Sequence, residues 1–233
     1  MGRMSSQQTR GVTLTIPAHY FAPIVMLALM WIMRVISTVA PSTVHALGVR
    51  AWSPSSLWAI ATSPFVHVSW FHLFSNSVPF LILGLIVAFD GAKRFATVTV
   101  LSALAGGLGV FFVNRPGTVT VGASGLVFGY FGYLVLRGLF ARGMLRKVIY
   151  IAVAVFVTGL YGVSMVIGLI PRGTSMSWQG HLFGLIGGCV AAWLVGSTGK
   201  QITPQNARPS NQTESQQTGD PELDRLLRDL DID

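Results

Sequence analysis

Residues 67–89 read His-Val-Ser-Trp-Phe-His-Leu-Phe-Ser-Asn-Ser-Val-Pro-Phe-Leu-Ile-Leu-Gly-Leu-Ile-Val-Ala-Phe, and Asp90-Gly91 closes the run. The stretch contains no Asp, Glu, Lys or Arg. A helix crossing the roughly 30 Å hydrocarbon core of a bilayer needs about 20 mostly apolar residues. The stretch therefore predicts a membrane span. Its first half nevertheless carries His67, His72 and Asn76. Polar side chains at such depth are costly unless they face the protein interior or water, which makes them functional candidates from the outset.

Five further stretches are comparable: 20–40, 95–113, 120–140, 148–170 and 178–196. Pro41-Ser42, Asn114-Arg115-Pro116-Gly117 and Pro171-Arg172-Gly173 punctuate them with turn and breaker residues. The expected fold is all-α, a polytopic bundle of six transmembrane helices over residues 20–197. A polar segment, 1–19, precedes it. Residues 41–66 are too polar to span but carry Trp52 and Trp58, which suits a loop lying partly in the interface. Beyond residue 197 the chain turns to Gln, Asn, Ser, Thr and Pro, a composition that cannot bury a core and predicts a disordered tail over 198–233. Leu223, Leu226, Leu227 and Leu230 at helical spacing leave room there for a short amphipathic helix.

Composition narrows the chemistry. Of the 233 residues 52% are hydrophobic and 10% charged, against roughly 25% charged in a soluble domain. Seven of the eight acidic residues lie beyond residue 200, so Asp90 is the single carboxylate of the membrane region. A carboxylate pair, an acidic calcium or magnesium cluster and a Glu-assisted zinc hydrolase are all excluded there. Three histidines without a neighbouring carboxylate or cysteine make a poor metal site, and Cys189 is the only cysteine. Neither a metal nor an organic cofactor is expected. The stretch 105–109, Ala-Gly-Gly-Leu-Gly, lacks the Lys-Ser or Lys-Thr of a phosphate loop and reads as helix packing.

The formal charge of +8 does not predict nucleic-acid binding, because the basic residues punctuate apolar runs instead of forming a basic face. They report topology. With the N-terminus inside, Arg3, Arg10, Lys93, Arg94, Arg137, Arg142, Arg146, Lys147, Lys200, Arg208, Arg225 and Arg228 are cytoplasmic, and only Arg50, Arg115 and Arg172 are outside. Positively charged segments are retained in the cytoplasm, so both termini are expected there. The first 19 residues lack the apolar core of a cleaved leader, and the first span is expected to serve as the insertion signal.

On that orientation spans two, four and six all begin on the outer side, and the polar residues fall at one depth. His72 and Asn76, four apart, share a helix face and offer donors of the kind that stabilise an oxyanion. By themselves they are equally readable as hydrogen-bonding glue between helices. His67 reads more naturally as structural. Ser124 lies in Gly122-Ala123-Ser124-Gly125, where a loop enters a helix whose first N–H groups are unpaired. Taken alone, that motif is also a packing face, since Gly122, Gly125, Gly129 and Gly132 recur at helical spacing. His181 opens Gly180-His181-Leu182-Phe183-Gly184, and Gly184 and Gly188 form a small surface that would let span six approach span four. An imidazole desolvated at this depth stays neutral and can accept the serine proton. Asp90 lies at the other end of span two, which leaves a Ser–His dyad and no triad.

Together these motifs resemble the rhomboid family of intramembrane serine proteases. The likeness rests on His72-Leu-Phe-Ser-Asn76, Gly122-Ala-Ser124-Gly125 and His181-Leu-Phe-Gly184, in that order, in three spans of six. It implies a six-helix core that hydrolyses peptide bonds in or near the transmembrane helices of single-span or multi-span membrane proteins. Ser124 would be the nucleophile and His181 the base, with His72, Asn76 and the Ser124 N–H forming the oxyanion hole. Gly122, Gly125 and Gly184 would support the site. Phe128 stands where many bacterial members place a tyrosine against the catalytic histidine. Trp58-Ala59 departs from the Trp-Arg pair common in the first outer loop. The polar residues at 173–177 are expected to form a movable cap over water entry. The competing expectations are a rhomboid-like protein that binds membrane clients without cutting them and a small transporter. The latter lacks polar groups along a path to the cytoplasm, Arg34 apart. Substrate identity and oligomeric state are not written in the sequence.

Overall fold

The computed structural model describes residues 17–140, 143–170 and 177–197. The tail over 198–233, most of the N-terminal segment and residues 173–176 of the expected cap lie outside the described residues. Six apolar helices make up the bundle: α1 (Ala22–Val39), α3 (Trp70–Phe89), α4 (Ala92–Val113), α5 (Ser124–Phe140), α6 (Met144–Leu169) and α7 (Trp178–Ser197). The connection between the first two holds a short helix, α2 (Ser42–Leu47), and a two-residue strand, β1 (Val49–Arg50), which pairs antiparallel with β2 (Val119–Thr120). All six expected spans are helices, and four of them have the length and composition to cross a membrane unaided. The α5 helix is the short one, with 17 residues or roughly 25 Å of rise.

The boundaries that moved have local causes. The fourth helix starts at Ser124 and not near Thr120, because Val119 and Thr120 pair with Arg50 and Val49 and Gly122 takes a positive φ of 121°. The second long helix starts at Trp70, where the Ser69 hydroxyl accepts the His72 N–H at 3.1 Å as an N-cap. That leaves His67 in the loop ahead of the helix.

The helices α4, α5 and α7 form the tightest part of the bundle. Small residues make this possible. A Cβ at Gly184 or Gly188 would run into the carbonyl oxygen of Gly125 or Gly129, and one at Gly106 would stand 3.2 Å from the Gly180 oxygen. The glycines of 105–109 thus serve packing, as their sequence suggested. The core beside this zipper holds Met30, Leu73, Phe80, Leu83, Tyr130 and Leu134, all essentially solvent-free. A second small cluster of Val49, Ala59, Ile60, Val110 and Phe111 seats the connection over 48–66 on α4. In that connection Trp52 and Trp58 are more than half exposed, while Ala59 is fully buried.

Candidate active site

Ser124 is the first residue of α5, and the loop before it is fixed from two directions. The Gly122 N–H donates to the Ser63 carbonyl at 2.9 Å, and the Ala123 N–H donates to His67 Nε2 at 3.4 Å. The carbonyl of Ala123 in turn accepts the first helical bonds, from Leu126 and Val127. Glycine is required at 122 for two reasons. Its φ lies in the region that side chains disfavour, and a Cβ there would stand 2.6 Å from His72 Cε1 and 2.8 Å from His72 Nε2. His72 therefore lies directly over the loop that presents Ser124. Of the three successive amides at 122–124 the first two are engaged. That of Ser124 belongs to the first helical turn, whose donors have no acceptor within the helix.

His181 sits in the first turn of α7 and is 6% exposed. Its Nε2 lies 2.8 Å from Ser124 Oγ, although 57 residues separate the two in sequence. The Ser124 hydroxyl donates to Nε2 when the imidazole carries its proton on Nδ1. On the other side His181 stacks on Phe128, with ring centroids 4.4 Å apart and planes within 5°. Phe128 is one turn after Ser124, so a single helix supplies both the hydroxyl and the surface that holds the ring. The start of α7 is fixed by Ser177, whose hydroxyl accepts the Gly180 N–H at 3.3 Å and lies 3.5 Å from Asn114 Nδ2. Ser177 is thus a helix cap.

His72 and Asn76 occupy one face of α3, as their spacing predicted. Asn76 is nearly buried, and its Nδ2 donates to the His72 carbonyl at 3.1 Å. The His72 Nδ1 is buried with no hydrogen-bond partner among the described residues. His67 packs edge-on against His72 at 4.9 Å between centroids. Burial, and after it the neighbouring His72 and then Arg34, lower the His67 imidazole from 6.5 to about 3. It is therefore a neutral acceptor for the Ala123 amide at any physiological pH.

Two features of the site escaped the sequence. One is the His67–Ala123 bond, and the other is Arg34 of α1, whose Nη1 donates to the carbonyls of His67 and Val68 at 3.1 and 3.2 Å. A histidine at the head of the second span and a lone arginine in the first were visible as anomalies. Their backbone partners leave no mark in a sequence. Asp90 is where the sequence put it, at the far end of α3, and its carboxylate accepts the hydroxyls of Tyr133, at 2.6 Å, and Tyr150.

The fold and this site define a class: a polytopic helical membrane protein with a serine and a histidine in contact at the N-terminal ends of two glycine-zippered helices. The chain belongs to the rhomboid family, since the Rhomboid domain family model matches residues 54–198. An uncharacterized protein of Mycobacterium tuberculosis is 34% identical over 72% of this chain and 71% of its own length. The Bacillus subtilis protein named "Putative rhomboid protease YdcA" is 28% identical over 59% of this chain and 66% of its own. An Arabidopsis thaliana protein, 30% identical over 56% of this chain and 38% of its own, bears the name "Inactive RHOMBOID-like protein 8".

Proposed function

We propose that this protein is an intramembrane serine endopeptidase that hydrolyses peptide bonds in or beside the transmembrane helices of other membrane proteins. The observation that carries the reading is the 2.8 Å contact between Ser124 Oγ and His181 Nε2, at the N-terminus of α5 and against the Phe128 ring. A serine hydroxyl is a weak nucleophile until a neighbouring base takes its proton, and the neutral imidazole is the base available. Ser124 Oγ attacks the scissile carbonyl as its proton passes to His181 Nε2. His181 then protonates the leaving amine, and the acyl group remains as an ester on Ser124. Water attacks that ester, gives its proton to His181, and the serine is regenerated as the new carboxyl leaves.

The negative charge of each tetrahedral intermediate develops beside the Ser124 N–H, His72 and Asn76. Preorganised donors of this kind contribute about 3–4 kcal/mol apiece in soluble proteases. Asn76 reaches the oxyanion by exchanging its present bond to the His72 carbonyl. Gly122, Gly125 and Gly184 support the site by letting His72 and α7 approach the serine loop. The distribution of Lys and Arg supports a site near the outer leaflet with both termini in the cytoplasm, and a membrane domain over 20–197.

The test is cleavage, by the reconstituted protein, of fluorescently tagged single-span helices rich in small residues. Wild type should produce a new pair of fragments, and Ser124→Ala and His181→Ala should produce none. A folded wild type that binds such helices and cuts none would replace this reading with client binding without catalysis.

A further inference from the structure

Arg34 is a permanent charge in the second half of a membrane-spanning helix, five residues before its end. A guanidinium at such a depth persists only where acceptors compensate it. Its Nη1 donates to the carbonyls of His67 and Val68, and its Cζ stands 5.3 Å from the centre of the Trp70 ring. Its Nε is buried and has no partner among the described residues, so those two carbonyls and the ring supply the described compensation outside its own helix. The carbonyls also gain. They belong to the loop ahead of α3, where no helical N–H reaches them, so the guanidinium supplies the donor that the helix does not.

The chain that Arg34 grips leads in two directions. Forward, Ser69 caps α3 through the His72 N–H. Sideways, the same residue whose carbonyl Arg34 binds presents its imidazole to the Ala123 N–H, one residue before Ser124. Thr62, Ser63 and Phe65 continue the loop behind it, and Ser63 holds the Gly122 N–H. No other described cation touches this loop.

We propose that Arg34 is a positioning residue for Ser124: it clamps the 67–68 backbone from α1, and through the His67 imidazole and the Ala123 amide it holds the serine at attacking distance from its target. The inference rests on the proposed role of Ser124. Arg34 makes no contact with the reacting atoms and moves no proton; the held geometry is its whole contribution. Small displacements of a reacting group are expensive, since roughly 1 Å of misplacement costs on the order of a hundredfold in rate.

The experiment measures acylation by a fluorophosphonate over a range of probe concentrations, in wild type, Arg34→Gln, His67→Phe and the double variant, all with full-length protein in detergent. Helix content and monodispersity establish folding for each. The expected result is a maximal labelling rate lowered roughly tenfold to a hundredfold in Arg34→Gln at an unchanged half-saturating concentration. The double variant should label no more slowly than the slower single one, because both changes break one route. A structural role alone would lower the labelled fraction and leave the rate constant of the folded molecules intact, which would overturn the proposal. So would additive effects in the double variant. Amide exchange over residues 122–124 gives a readout free of catalysis: Arg34→Gln should accelerate it at least about tenfold, and unchanged exchange overturns the proposal. If wild type fails to label while exchange responds to Arg34→Gln, the Ser124 reading fails and the clamp stands.

Discussion

The two ends of α3 treat polar groups in opposite ways. At its beginning His72 lies over Gly122 of the loop before Ser124 and against the His67 ring, Asn76 donates to the His72 carbonyl, and no carboxylate among the described residues is near them. At its end, 18 residues and about 27 Å further on, Asp90 is bound by the hydroxyls of Tyr133 and Tyr150. The single carboxylate of the described residues is thus spent on tying α3 to α5 and α6. On the other side of the bundle from that carboxylate, the Phe128 ring lies flat against His181. In a triad the carboxylate fixes the tautomer and angle of the imidazole. Here α5 carries both the serine and a ring that packs on the imidazole.

The comparison breaks most visibly at the contact itself. Ser124→Ala and His181→Ala should each lower peptide hydrolysis by at least about a thousandfold with thermal unfolding little changed, measured as fragment release from a tagged membrane segment. Gly122→Ala comes next. Its methyl meets His72 at 2.6 Å and forces a backbone with φ of 121°, so hydrolysis should fall on the order of a hundredfold and stability by about 1–3 kcal/mol. Phe128→Leu removes the stacking surface but keeps the apolar bulk, and the rate should drop roughly three- to tenfold, in line with about 0.5–1.5 kcal/mol for an aromatic pair.

Asp90→Asn sharpens the contrast. Hydrolysis per folded molecule should stay within about threefold of wild type, while unfolding in detergent becomes easier by about 1.5–3 kcal/mol, the worth of hydrogen bonds to a charged group. A collapse of activity at unchanged stability would mean that the two ends are coupled and the division of labour is wrong. An effect confined to acid pH concerns His67. Its folded pKa, about 3, lies below the 6.5 of the unfolded chain, so protons favour unfolding between the two values. The stability it contributes is complete above pH 6.5 and is lost as pH falls from there toward 3. His67→Phe should flatten that part of the stability–pH curve.

The part of this arrangement carried by local pattern was legible in the sequence. Six apolar runs with Gly and Pro breaks became six helices, and the glycines at 125, 129, 184 and 188 announced the approach of α7 to α5 that brings His181 to Ser124. The resemblance to the family singled out Phe128, and its ring stacks on His181. What stayed hidden depends on backbone partners or on residues far apart in the chain. The pairing of β1 with β2 joins residues 69 and 71 positions apart, and it moved the start of α5 by four residues. His67 reads as an ordinary buried histidine until its Nε2 is seen to accept from Ala123. Arg34 stood out as a charge in a span, but carbonyls of 67 and 68 carry no side-chain signature to mark them as its partners. Asp90 was seen to be too far away for a triad, and its two tyrosines became apparent only in three dimensions.

Ser124 is proposed to be an activated nucleophile with His181 as its base. The most direct measurement is intact-protein mass spectrometry after exposure to a fluorophosphonate, with the adduct mapped by peptide sequencing. One adduct per molecule is expected, on Ser124, absent from both Ser124→Ala and His181→Ala. No adduct on folded wild type, or one that persists in His181→Ala at the wild-type rate, would contradict it.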